Sequence, residues 1–383
     1  MRRPADLPRD PLTALTRAFL DGAPWGHAFA ESDWDGVVER AEDERVAPML
    51  YRALPGGAAP APVHARLRRA WLASERQHAF ADAQLRELLD AFRRARIRTI
   101  LLKGPALARE YYSDSALRPF TDLDLLVQSR DRARAIDVVI GLGYAHGSPG
   151  RSLAYELEHA AAAYFVAPHD SARLPVDLHW ELVAHPGGSR ATELASSEIW
   201  RRTVAAPTWG ETAHVLAPED LLVYLAAHFA IHHALAGPLW QLDLALVLRR
   251  HAVTLDWNAV VDRCRRWSAA SAVYFALHTV GEQLGVTTPP SALGRLRPDG
   301  VRVALVRYLQ RCGPDRLVRL EYLVGLLLLD RRRDVVRTVA SGLVPPPSWL
   351  RSRYGPRSLL AAYATHYGRL ARIAGRTIIP PVA

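Results

Sequence analysis

Two aspartates separated by a single leucine form the most chemically suggestive feature of the sequence, in the segment Thr121-Asp122-Leu123-Asp124-Leu125. In an extended strand, residues two apart project to the same side, so both carboxylates would share one face while the leucines enter the core. Neighbouring carboxylates repel each other and become favourable when divalent cations neutralise them, and such oxygen ligands suit Mg²⁺. The pair therefore predicts a metal site that clamps the attacking and leaving oxygens of a phosphoryl displacement.

A third carboxylate, Asp177, occurs in a second strand-like segment, where His179 shares its face. If this strand lies beside the first, Asp177 completes the metal site or accepts the proton of the attacking group. His179 is then a neighbour of the metal ligands or a substrate contact. The alternatives are a solvated surface turn for the aspartate pair and an ordinary edge-strand acid for Asp177.

Lys103 and Gly104 predict the position of a phosphate group. Glycine lets a phosphate approach the backbone closely, and a helix that begins at Pro105 would direct its positive end there. Lys103 is the single lysine among 49 Lys and Arg residues, which favours a position where a compact ammonium is needed. Arg118 is a second candidate phosphate contact. For either cation, the alternative is a salt bridge to a neighbouring carboxylate.

Two histidines and an aspartate later in the chain are further candidates. His228 and His232 have the spacing of zinc ligands on one helix face, but Phe229 stands where a HExxH motif has glutamate, and no third ligand is apparent. The sequence favours histidines that line a cleft or form hydrogen bonds in the core. Asp243 either faces the same cleft or forms a hydrogen bond between helices.

The elements that must position these residues alternate between helical and extended patterns. Apolar spacing predicts helices over residues 11–54, 63–94, 105–112 and 130–142 and strands over 97–103, 122–127, 160–166 and 174–182, the last two as a possible hairpin. From Pro218 to about residue 372 the pattern is helical. We therefore predict an α+β fold with an N-terminal helical region (1–94), an α/β core (95–215) and a C-terminal helical domain (216–383).

Composition limits the class of protein. Hydrophobic residues make up 49% and charged residues 23%, which is typical of a globular chain. The net charge of +10 favours anionic partners, but the arginine runs lack the aromatic interleaving of a single-strand binder, so nucleic acid is possible but not favoured. The two cysteines allow no disulfide framework, and no apolar run is long enough to cross a bilayer. We expect a cytoplasmic protein without a membrane partner.

Three segments, taken in order, resemble a known family. Residues 102–104, 118–127 and 177–180 are similar to the Leu-Lys-Gly, Arg-x-x-x-Asp-h-Asp-Leu-Leu-Val and Asp-Leu-His-Trp segments of the bacterial uncharacterised nucleotidyltransferase family, which belongs to the polymerase-beta-like superfamily. The helical part with Pro218-Glu219-Asp220 also fits that family. The similarity extends from about residue 30 to residue 360.

The resemblance implies a polymerase-beta-like core, a small mixed sheet with flanking helices, and an enzyme that moves a nucleoside monophosphate from a nucleoside triphosphate (NTP) to a hydroxyl-type acceptor. It implies two Mg²⁺ ions held by the aspartates, with Lys103, Gly104 and Arg118 on the triphosphate. Pro105 departs from the superfamily, in which serine or glycine usually follows the first glycine. A hydroxyl contact to phosphate is therefore absent at that position.

The sequence leaves the base of the NTP, the acceptor and the oligomeric state open. The resemblance favours a peptide or small-molecule natural product as acceptor. A toxin-type nucleotidyltransferase that acts on tRNA or protein is the second hypothesis, and the basic surface would then contribute to binding. A non-catalytic nucleotide-binding module is the third, although the presence of all three acids argues against it.

Overall fold

A computed structural model describes residues 10–23, 34–55, 57–148, 151–168, 171–182, 196–210, 213–355 and 357–378 of the chain. In these residues, helices flank one mixed sheet of seven strands. Within the described residues before the sheet lie the helices α1 (Pro11–Asp21), α2 (Trp34–Asp43), α3 (Ala47–Ala53) and α4 (Ala61–Arg94). The long helix that the sequence predicts from residue 63 is α4, which carries its apolar residues at helical spacing toward the sheet.

The central part of the chain supplies the sheet and its connecting helices. These elements are β1 (Thr99–Leu101), α5 (Pro105–Tyr111), β2 (Leu123–Val127), α6 (Arg132–Gly141), β3 (Ala145–His146), α7 (Leu153–His159), β4 (Ala162–Val166), β5 (Val176–His179), α8 (Ser196–Arg202), β6 (Val204–Ala205) and β7 (Ala213–Val215). The strand order is β3-β4-β5-β2-β1-β7-β6.

The pairing of β2 with β5 decides where the acidic residues meet. The two strands are parallel neighbours, with Asp124 opposite Asp177 and Leu126 opposite His179. The antiparallel hairpin of β4 and β5 holds β5 from its other side. The condition under which Asp177 could join the aspartate pair, that the two strands lie side by side, is therefore met.

The remaining described chain is helical. It contains α9 (Pro218–His232), α10 (Pro238–Arg250), α11 (Trp257–Arg266), α12 (Ala270–Leu284), α13 (Pro290–Leu296), α14 (Gly300–Arg311), α15 (Pro314–Arg319), α16 (Glu321–Leu327), α17 (Arg332–Leu343), α18 (Pro347–Tyr354) and α19 (Leu359–Ile378). No helix among the described ranges combines the length and apolar character needed to cross a membrane.

Alternation along β2 gives the sheet two different faces. Leu123, Leu125 and Val127 pack in a core with α4 and α6, whereas Leu126 packs with α9 and the helices that follow it. Asp124 shares the face of Leu126 and is therefore directed toward the C-terminal helices. The core that contains Leu126 includes residues on both sides of the expected boundary at 215, and the core that contains Leu123 includes residues on both sides of the one at 94. The division into three domains therefore remains a prediction.

Several boundaries differ from those that the sequence predicts. Strand β2 begins at Leu123, so Asp122 precedes the strand instead of opening it. Helix α9 ends at His232, three residues before the predicted end, because Ala234 and Leu235 adopt positive φ angles that a helix cannot continue. The short edge strands β3 and β6, and β7 beside β1, are additions, since two or three residues give no periodic signal.

Candidate active site

The acidic residues meet where β2 and β5 lie side by side. One carboxylate oxygen each of Asp124 and Asp177 and a ring nitrogen of His179 all lie within 4.8 Å of one another. His179 Nε2 is 3.0 Å from Asp177 Oδ2 and 3.4 Å from Asp124 Oδ1. Asp122 lies outside this group of donor atoms, one residue before the strand, but its carboxyl still feels the charges of both other aspartates.

His179 has a short contact without a well-directed hydrogen bond. Its Nε2 is fully buried, and none of the described residues provides an acceptor in the direction of the N–H, despite the 3.0 Å separation from Asp177. A buried ring nitrogen between two carboxylates is costly unless a proton or a cation joins them. This geometry suits a group that exchanges a proton with Asp177 or serves as a ligand beside it.

The pKa values within the cluster move in opposite directions. Burial and the charge of Asp124 raise the pKa of Asp122 to about 6. Burial also disfavours the Asp124 carboxylate, but Lys103 and His179 outweigh it and hold the pKa of Asp124 well below its usual range. For His179, burial is outweighed by Asp177 and Asp124, which raise its pKa to about 10. Such divergence is characteristic of functional sites.

The charges of the cluster favour an additional cation. The three carboxylates carry three negative charges when all of them are ionised. Lys103 and a protonated His179 compensate two of these charges, so at least one negative charge remains in a largely buried place. Carboxylate oxygens with an adjacent imidazole are a suitable donor set for a divalent ion. The residues present therefore fit the predicted metal.

Lys103 follows β1 and is bound to the cluster. Its Nζ lies 2.8 Å from Asp124 Oδ1 and 3.3 Å from His228 Nε2. Burial opposes the charged form, but Asp124 and Tyr224 hold the pKa of Lys103 above its usual range. The ammonium of Lys103 therefore stays charged and forms a salt bridge with Asp124. A salt bridge was the alternative to a phosphate contact for this residue.

Arg118 is likewise engaged with a carboxylate. Its Nε and Nη2 donate to the two oxygens of Asp243 on α10, at 3.0 and 2.7 Å. Both side chains are only 2% exposed, and Tyr112 donates a further hydrogen bond of 2.8 Å to Asp243. The ion pair of Arg118 and Asp243 thus connects the loop before β2 with α10. A phosphate contact from Arg118 remains a prediction.

A row of aromatic and histidine rings leads from Lys103 to a cavity of about 220 Å³. His228 Nε2 lies 3.2 Å from His233 Nε2, and His233 stacks on Trp240 with ring centroids 4.1 Å apart. The cavity lies against this stack and is lined by Glu44, His232, His233, Ala234, Ala236, Gly237, Trp240, Val318 and Glu321. Burial lowers the pKa of His233 to about 3, so the ring is neutral. His232 therefore lines the cavity, whereas His228 lies between Lys103 and His233 in the row of rings.

A family comparison places this geometry in a known context. The model of the family described as "Uncharacterised nucleotidyltransferase" matches residues 30–285, more than half of the chain. The chain belongs to that family. The protein is therefore a nucleotidyltransferase, an enzyme that moves nucleotidyl groups. No curated protein and no solved structure matches the chain.

The match supports the predicted fold class and enzyme class of this nucleotidyltransferase. It includes every predicted site residue, from Lys103 to Asp243, and ends before the C-terminal limit of about residue 360 that the sequence suggested. The metal-binding and phosphate-binding assignments remain predictions. Sequence reasoning did not single out His233 or Trp240, because their position beside His228 arises from the turn between α9 and α10.

Gly104 adopts a backbone conformation that only glycine reaches easily, with φ +55° and ψ −120°, directly before α5. We expect Gly104→Ala to lower the free energy of unfolding by about 1–3 kcal/mol, because an L-residue is strained there. The added methyl group would meet neighbours only at ordinary distances of 3.6 Å or more, so strain and not a clash is the cause. Urea unfolding measures the loss.

The matched control for this prediction is Gly141→Ala. Gly141 is helical, and open space surrounds the position of an added methyl group. Its replacement should be neutral or stabilising by up to about 1 kcal/mol, since alanine favours helices. Equal stability of the two variants would contradict the assignment of strain to Gly104.

Proposed function

We propose that this enzyme transfers a nucleoside monophosphate from an NTP to a hydroxyl group of a peptide or small-molecule acceptor, with release of pyrophosphate. The observation that carries the proposal is the parallel pairing of β2 and β5, which brings Asp124 and Asp177 to adjacent positions next to Asp122. The family supports nucleotidyl transfer in general. The metal, the acceptor and the residue roles are our proposal.

Asp122, Asp124 and Asp177 would hold two Mg²⁺ ions. Bound there, the ions would neutralise charge on the transferred phosphoryl group and orient the attacking and leaving oxygens. Lys103 keeps Asp124 ionised and fixed through its 2.8 Å ion pair. Asp124 therefore acts as a preorganised carboxylate that needs no rearrangement during the reaction.

Asp177 is the carboxylate best placed to receive a proton from the acceptor. Its side chain is 26% exposed, compared with 5% for Asp124. The pKa of His179 is raised to about 10, so the ring is positively charged at neutral pH, and its Nε2, 3.0 Å from Asp177 Oδ2, orients the Asp177 carboxylate. The acceptor hydroxyl loses its proton to Asp177 as its oxygen forms the new bond to the α-phosphorus and the bond to pyrophosphate breaks.

The cavity beside Trp240 limits the size of any group that could enter it. At about 220 Å³ it holds one side chain or a comparably small group rather than a folded surface. A peptide side chain or a small natural product fits this size. We assign the cavity to neither the base nor the acceptor.

The direct test measures the transfer of label from α-labelled ATP, GTP, CTP and UTP with Mg²⁺ to fractionated small molecules, peptides, tRNA and proteins. We expect a labelled acceptor whose formation stops with EDTA and resumes with Mg²⁺. Asp177→Asn should slow the transfer by roughly 10²-fold or more through loss of general-base action. Label in tRNA or protein instead would contradict the proposed class of acceptor. Unchanged turnover by Asp177→Asn would contradict the role of Asp177 as general base.

A further inference from the structure

The two cations that the sequence assigns to the triphosphate are already paired. Lys103 is bound to Asp124, and Arg118 is held by both oxygens of Asp243 in a place that is 2% exposed. A triphosphate carries several negative charges and needs an accessible cation near the metal site. Arg45, a half-buried arginine beside the cavity-lining Trp240, is such a cation.

Arg45 stands in the turn between α2 and α3 with a backbone that is unusual for arginine. Its φ is +59°, in the left-handed region. The turn is a Schellman motif, in which Val46 N–H donates to Ala41 O and Arg45 N–H donates to Glu42 O. Glycine usually occupies this position, and an L-residue costs roughly 1–2 kcal/mol there.

The side chain extends over Trp240. Arg45 Cζ lies 5.7 Å from the centroid of the Trp240 ring, which stacks on His233. Arginine held over an aromatic face keeps its donor edge available for an anion. In the part of the chain that the structure describes, no carboxylate forms an ion pair with this guanidinium.

The Trp240 ring connects Arg45 with the acidic cluster through a row of contacts. Its centroid lies 5.8 Å from that of His228, in an edge arrangement. His228 Nε2 is 3.3 Å from Lys103 Nζ, and Lys103 Nζ is 2.8 Å from Asp124 Oδ1. Arg45 therefore lies at one end of a row of contacts whose other end is the acidic cluster.

We propose that Arg45, held over Trp240 by its left-handed turn, forms an anion site that binds the β- and γ-phosphates of the NTP. This inference rests on the proposed function. The bidentate edge of the guanidinium matches two phosphate oxygens, while the acidic cluster receives the α-phosphate. Arg118 then positions α10 and Trp240 and does not contact the phosphates itself.

The test compares Arg45→Gly, Arg45→Lys and the wild type by calorimetric titration with Mg²⁺ and a non-hydrolysable α,β-linked NTP analogue. Arg45→Gly relieves the backbone strain, so we expect a higher melting temperature together with an affinity for the analogue that is about 10- to 100-fold weaker. Arg45→Lys should retain part of the affinity. The affinity for the corresponding nucleoside monophosphate should not change.

Arg40→Ala is the matched control. Arg40 lies on α2, the helix before the turn of Arg45, and pairs with Asp10 at the surface, where Arg40 is 46% exposed. Its loss should leave nucleotide affinity within about twofold, because exposed pairs contribute little. Unchanged affinity of Arg45→Gly for the triphosphate analogue would overturn the inference. An equal loss for monophosphate and triphosphate would overturn it too.

The wild-type titration separates this inference from the proposed function. If the wild type binds no nucleotide with Mg²⁺, the proposed function fails, and the assignment of Arg45 fails with it. If the wild type binds the analogue and Arg45→Gly binds it equally well, only the assignment of Arg45 fails.

Discussion

Replacing Asp122 with asparagine is expected to stabilise the metal-free protein and to abolish its activity. Burial and the neighbouring Asp124 raise the pKa of Asp122 to about 6, so its carboxylate is unfavourable in the folded state at neutral pH. A neutral amide of the same shape removes that penalty, which we estimate at about 1–3 kcal/mol after allowance for partial exposure. The same change removes a proposed metal ligand.

The pH dependence has a definite sign. The folded pKa of Asp122 lies above its ordinary value of 3.8, so between pH 4 and pH 6 the folded state binds more protons than the unfolded state. Stability of the wild type in EDTA therefore falls as pH rises through this window. The melting temperature of Asp122→Asn should match the wild type below pH 4 and exceed it above pH 6.

Activity should change in the opposite direction. Loss of a ligand that helps neutralise phosphoryl charge costs several kcal/mol in the transition state, which corresponds to roughly 10³-fold or more in rate. Added Mg²⁺ should raise the melting temperature of the wild type and leave that of Asp122→Asn almost unchanged. Thermal unfolding with EDTA or Mg²⁺, together with turnover assays, measures both effects.

Asp137→Asn supplies the control for this prediction. Asp137 is an exposed acid on α6, away from the acidic cluster, and its replacement should alter neither property. A less stable Asp122→Asn in EDTA would contradict the electrostatic account. Retained activity would show that Asp122 is not a metal ligand.

The acidic cluster was predictable because its information is local. Period-two alternation placed Asp122 and Asp124 on one side of a strand, and a similar pattern placed Asp177 and His179 on another. Which strands become neighbours is a tertiary property, but the small number of strands in an α+β core restricted the choices. The parallel pairing of β2 and β5 confirmed the arrangement.

The partners and positions of the positively charged side chains were not predictable in the same way. Arg118 and Asp243 are 125 residues apart, and neither has a local pattern that indicates a paired state. Arg45 carries no signal at all, because a positive φ is expected from glycine and not from arginine. Local sequence thus located the carboxylates, while the choice of partner for each positive charge depended on long-range packing.

The buried pair of Arg118 and Asp243 should be the most sensitive electrostatic contact to single substitutions. Asp243→Leu would leave the Arg118 guanidinium buried without its carboxylate, and Arg118→Met would leave Asp243 with Tyr112 as its donor. We expect each single change to cost about 3–5 kcal/mol of unfolding free energy, since an unpaired buried charge is strongly unfavourable. Urea unfolding of both variants measures the cost.

The double variant Arg118→Met/Asp243→Leu distinguishes a structural role from a phosphate contact. Because it removes both charges, its stability should recover well above the sum of the single losses. Arg40→Ala provides the comparison, because it breaks the exposed pair with Asp10 and leaves Asp10 as the N-cap of α1, and it should cost less than about 1 kcal/mol. If Arg118 only positions α10 and Trp240, a double variant whose recovered stability shows that this packing is kept should bind the NTP analogue as the wild type does. A folded double variant that loses affinity for triphosphate but not for monophosphate would indicate that Arg118, and not Arg45, contacts the β- and γ-phosphates.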